Sequence, residues 1–137
     1  MPLKNDKDMD WVGWLVEGLG GQEEVFQKAL IGAIESRNIP KVTILSGTVN
    51  MWWRKESRYI DVLSELDGRI MATIHLQPYG TSLWVGRAVE QFGASNYYKR
   101  MAGMAFLWTV DRCIKETVLT MAAAEAIHSV EDVEQSK

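Results

Sequence analysis

Between Gln22 and His128 the spacing of apolar residues changes twice, from near four to two and back to near four. From Gln22 to Arg37, the residues Val25, Phe26, Ala29, Leu30, Ala33 and Ile34 fall in adjacent pairs every four positions, which lays one stripe along an amphipathic helix. Asn38 and Pro40 end it, because proline disfavours helical geometry in the residue before it. The next stretch, Val42 to Trp53, is rich in β-branched and aromatic residues and reads as a strand, followed by Tyr59 to Glu65. After Asp67-Gly68, Ile70, Ala72, Ile74 and Leu76 alternate with Met71, Thr73, His75 and Gln77. From Ser82 to Val89, Leu83, Val85 and Val89 share one face and Trp84, Gly86 and Ala88 the other. Arg54-Lys55-Glu56, Asp67-Gly68 and Pro78-Tyr79-Gly80 read as tight connections, so the four strands form an up-and-down antiparallel meander.

The helical period returns after Gly93, with Ser95 as N-cap. Tyr97, Met101, Met104, Trp108, Ile114, Val118, Met121 and Ala122 lie three or four apart over most of that span, with an interruption at Asp111 and Arg112. An unbroken helix from Ser95 to His128 is about 50 Å long. Ser129 to Lys137 has little to bury and is expected to fray. At the other end, Asp10 is placed to cap a short helix carrying Trp11, Trp14, Leu15 and Leu19, which Gly18, Gly20 and Gly21 break. The expected fold is α+β in one domain over residues 1–137: two N-terminal helices, a four-stranded antiparallel meander and a long C-terminal helix.

Composition narrows the function classes. A net charge of −3, with 47% hydrophobic and 24% charged residues, is ordinary for one globular domain and supplies no basic field to gather nucleic acid. Cys113 is the only cysteine, so neither an intrachain disulfide nor a cysteine zinc site is expected, which fits a reducing, cytoplasmic setting. Met1 to Asp10 lacks the basic start and apolar run of a signal peptide. The longest apolar stretch, Met101 to Val110, is about half of what a bilayer requires, so no integral membrane segment is expected.

Catalytic candidates are sparse. His75, mid-strand beside Thr73 and Gln77, suits a general base by residue type but equally a surface histidine bonded to a neighbour. His128 stands near the frayed end and 53 positions away (128 − 75), which excludes a helical metal-binding pair. Cys113 lies close to the apolar stripe and reads as packing. No serine lies in a nucleophile-elbow frame, and Gly18-Leu19-Gly20-Gly21 reads as a helix–helix turn rather than a phosphate loop. Asp61 and Glu65 share a strand face, where solvated charges explain them. No catalytic residue, metal or cofactor is expected.

The excess lies in aromatics. Six tryptophans are many for this length, and tryptophan is enriched at interfaces. Trp52 and Trp53 precede Arg54 and Lys55, and adjacent strand residues point to opposite faces, so both indoles enter one core layer only across a bulge. Trp84 shares its face with the small Gly86 and Ala88, which leave a depression. Met101, Met104 and Trp108 form either core or an adaptable contact stripe. If the helices all pack on one side of the sheet, the other face stays open. The leading expectation is therefore a non-enzymatic cytoplasmic interaction or oligomerisation module, a homodimer or larger, with Trp52 or Trp53, Trp84 and the Met101–Trp108 stripe as contact residues. One alternative is a domain binding a small apolar or aromatic ligand between sheet and C-terminal helix, with His75, Thr73 and Gln77 as polar contacts. The other is peripheral membrane attachment through Tyr97–Trp108 with Lys99 and Arg100.

Overall fold

The alternating stretch folds as a sheet, and the sheet takes in one strand more than the alternation announces. The computed structural model describes residues 11–51, 54–66, 69–92 and 97–135. Its elements are β1 (Trp11–Val16), α1 (Glu23–Glu35), β2 (Val42–Met51), β3 (Arg54–Ser64), β4 (Arg69–Tyr79), β5 (Ser82–Phe92) and α2 (Tyr97–Gln135). One sheet holds all five strands in the order β1-β5-β4-β3-β2, and every neighbouring pair is antiparallel.

The expected first helix is strand β1. The chain thus has one N-terminal helix and five strands, not two N-terminal helices and four strands. Trp11, Trp14 and Leu15 do fit helical spacing, but a six-residue run rich in valine and tryptophan fits a strand as well, and so short a helix has little stability of its own. Tertiary pairing decides: Trp14 lies opposite Val85 and Val16 opposite Leu83, which turns Val12, Trp14 and Val16 toward the core. The glycine-rich stretch becomes a strand-to-helix turn, held to the β4–β5 hairpin where the Gly20 N–H donates to the Thr81 carbonyl at 2.9 Å.

Two connections also move. Arg54-Lys55-Glu56 opens strand β3 instead of forming a hairpin tip, and Trp52 and Trp53 lie outside the described residues. Asp67-Gly68, expected as a hairpin turn, lies outside the described residues as well. Strand β4 runs on through Pro78 and Tyr79, so the turn is Gly80-Thr81, with Tyr79 opposite Ser82 and Gly80 at φ +62°.

Register puts Ile60 and Val62, Ala72, Ile74 and Leu76, and Leu83 and Val85 on one face of the sheet, all with essentially no exposure. Phe26, Leu30 and Ile34 of α1 and Phe106, Val110, Cys113 and Ile114 of α2 cover that face. The stripe of α1 is narrower than its sequence suggests, since Val25 is exposed and Gln27 is buried in its place. The Gln27 amide donates from Nε2 to the carbonyls of Gly47 (3.1 Å) and Tyr59 (3.0 Å), while its Oε1 accepts from Arg58 Nη1 at 3.1 Å. One buried side chain thereby clasps α1 to both β2 and β3.

Helix α2, at 39 residues, is about 58 Å long and runs past His128 to Gln135. The apolar residues that read as one stripe occupy two faces. Trp108 and Ile114 are six residues apart, about 240° around a helix. The inward face is Gly103, Phe106, Val110, Cys113, Ile114 and Thr117, while Met101, Met104 and Trp108 point outward. Two ion pairs fix the helix laterally. Arg87, buried on the core face of β5, donates to Asp111 from Nε at 2.8 Å and from Nη2 at 2.7 Å. Arg37, just beyond α1, forks onto Glu116 at 2.6 and 2.5 Å.

Deleting the largest core ring has a defined cost. Phe26→Ala should lower the unfolding free energy by about 3–5 kcal/mol with an unchanged denaturant slope in urea titration. The Arg37 hydrogen bonds hold the Glu116 carboxyl below the usual carboxylate range, against a smaller opposing effect of burial. A folded-state value below the unfolded one means the tie stabilises at neutral pH, above the unfolded carboxyl's value, and is lost as pH falls through the folded one. The gap in urea midpoint between wild type and Glu116→Gln should therefore be present at pH 7 and close as the solution is acidified toward pH 3.

Candidate functional site

Both helices lie on the same side of the sheet, so the opposite face has no helix over it among the described residues. Register defines what that face carries. One transverse row is Val49, Ser57, Gln77, Trp84 and Leu15, and the next is Gly47, Tyr59, His75, Gly86 and Gly13. Leu45, Asp61, Thr73 and Ala88 follow, and then Thr43, Leu63, Met71 and Glu90. Leu15 is 55% exposed, Leu45 62% and Tyr79 69%, three large apolar side chains on one surface. Such a surface normally marks a contact site.

Two aromatic rings on this face lie down instead of standing up. A Cβ added to Gly13 would sit 2.0 Å from Cη2 of Trp84, so the indole occupies the space above that glycine on the neighbouring strand. A Cβ on Gly47 would meet the Tyr59 hydroxyl oxygen at 2.7 Å, so the Tyr59 ring covers Gly47 in the same way. Each glycine is where it is because a ring needs its surface. The depression expected beside Trp84 is thus partly filled by Trp84 itself, leaning toward β1. Beside it, Leu15, Gln77, Tyr79 and Trp84 line a hollow of about 400 Å³.

Charged groups on the face are few, and most of its polar side chains are neutral. The Thr73 hydroxyl donates to Asp61 Oδ1 at 2.9 Å. His75 is exposed near the centre, between Tyr59 and Gly86, and no acidic side chain among the described residues is hydrogen-bonded to it. His75, Thr73 and Gln77 all face away from the helices, so they do not line a space between sheet and α2. That interior is filled by Phe26, Leu30, Ile74, Val110 and Ile114, each fully buried.

The remaining sequence candidates are dispersed. Met101 and Met104 are half-exposed on the outward side of α2, with Trp108 at 62% exposure, far from the open sheet face. A second hollow of about 400 Å³ lies there, lined by Trp108, Asp111, Arg112 and Lys115. Cys113 is buried, its thiol donating toward the Ala33 carbonyl at 3.7 Å, and burial pushes its pKa up against the opposing pull of Arg37. It is packing, not a nucleophile. Among the described residues no group of three His, Cys, Asp or Glu side chains could hold a metal ion, and no helix is long and apolar enough to cross a membrane.

Sequence reading missed Leu15, Leu45 and Tyr79, and also the Arg87–Asp111 pair. Leu15 was lost with the misread β1. Leu45 and Tyr79 follow only from register, which fixes the face each strand residue takes. The pair did leave a signal: Arg87 falls between Leu83, Val85 and Val89 on the inward phase, and Asp111 interrupts the apolar stripe of α2. A charge on each of two inward phases is what a buried ion pair requires. No protein-family model and no curated protein matches this chain.

The Trp84–Gly13 contact makes a measurable coupling. Gly13→Ala should cost about 1–3 kcal/mol in urea unfolding, because the ring must shift to admit a methyl group. In a Trp84→Ala background the same substitution should cost close to nothing, giving a coupling energy of similar size in a double-mutant cycle.

Proposed function

We propose that this chain is a non-enzymatic interaction domain whose working surface is the open face of its sheet. The observation that carries the reading is the uncovered exposure of Leu15, Leu45 and Tyr79 on a face that no described element shields. The chemistry of the face agrees. It is broad and poor in charge, with leucines, aromatics and small residues among neutral polar ones, and among the described residues its one histidine has no bonded carboxylate to make it a general base. The hollow at Leu15, Gln77, Tyr79 and Trp84 suits an inserted partner side chain, with Trp84 and Tyr79 as the energetic centre.

Such a domain does its work bound. In an undenatured extract of cells expressing the full chain, the wild-type protein should elute well above its 15.5 kDa. Leu45→Glu combined with Tyr79→Glu should return it to the monomer position, because each places a charge on the face without touching the core. Elution of the wild-type chain as a 15.5 kDa species in that extract sinks the reading.

A further inference from the structure

We infer that the occupant of the open sheet face is a second copy of this chain, packed face to face so that two five-stranded sheets form a sandwich. The inference rests on the docking role proposed above and names the partner.

Area comes first. Four strands of 10 or 11 residues, about 35 Å long and about 4.8 Å apart, with the shorter six-residue β1 at one edge, give a face on the order of 800 Å². A specific interface of standard size buries about 800 Å² on each partner. The face is thus as large as a stable dimer needs, and no larger surface must be recruited.

Shape comes second. Trp84 folds down over Gly13 and Tyr59 over Gly47, so these two rings lie along the surface where upright rings would make ridges. A flat, twisted surface matches another sheet about 10 Å away, and a helix or an extended peptide would leave much of its width bare. Charge comes third. By register the face carries Asp61, Arg69 and Glu90 with His75, a set of both signs, and Asp61 is already engaged by Thr73. A face dominated by one sign would repel its own copy; this one does not.

Light scattering on the purified full chain tests the assignment. At about 500 µM, where even an interface with a Kd near 100 µM holds most chains as dimer, the wild type should weigh well over one and a half times 15.5 kDa, rising toward twice with concentration. Leu45→Glu and Tyr79→Glu, each at an exposed position and each checked for an unchanged urea midpoint, should weaken the dimer at least tenfold. Leu119→Glu, on exposed surface of α2, should leave it intact. A purified chain that is monomeric at every concentration overturns the inference, while a larger species in the cell extract would still support the docking role with a different partner. A dimer that survives both face substitutions and is broken by Leu119→Glu overturns it too, since α2 would then be the interface.

Discussion

A β-sheet has two faces, and this chain has helices for one. Both α1 and α2 pack on the side that carries Ile60, Val62, Ile74, Leu76 and Val85, and those five side chains have no exposure. Everything distinctive about the molecule follows from that asymmetry. The inner face is a close-packed apolar layer of ordinary kind. The outer face mixes leucines, aromatics and small residues with few charges, a composition that half-solvated sheets usually avoid.

Polar side chains settle alignment where apolar packing alone is permissive. Gln27 is the case on the α1 side: its amide bonds both β2 and β3, so sliding the helix along the hairpin would break three hydrogen bonds at once. Burying an amide is unfavourable unless its donors and acceptor are satisfied, and here each is. The outer face uses a different device, glycine beneath an aromatic ring, which protects backbone at β1 and at β2, the two edge strands.

Much of the architecture was readable from periodicity. Helix α1, the run of strands from Val42 onward and the long C-terminal helix all announce themselves, because each is set by local spacing. Strand β1 does not. Its six residues satisfy two periods, and the pairing that chooses between them is with β5, on the far side of α1 and three other strands. The open face was legible as a possibility and Trp84 as one of its members. Leu45 and Tyr79 were not, since a residue's face depends on register, and shifting a strand by one position exchanges inner and outer side chains. The double character of α2 was hidden for a related reason: steps of three or four can walk around a helix as well as along it.

That double character gives the Arg87–Asp111 pair a meaning beyond attachment. Phe106, Val110 and Ile114 form one oily flank of α2, and Met101, Met104 and Trp108 form another. With apolar side chains on both flanks, greasiness alone is a weaker compass for such a rod than for a helix with one stripe. A guanidinium anchored in the sheet and a carboxylate at a single angular position on the rod act as key and keyway, admitting one orientation. The bond thereby chooses which flank of the rod is turned outward.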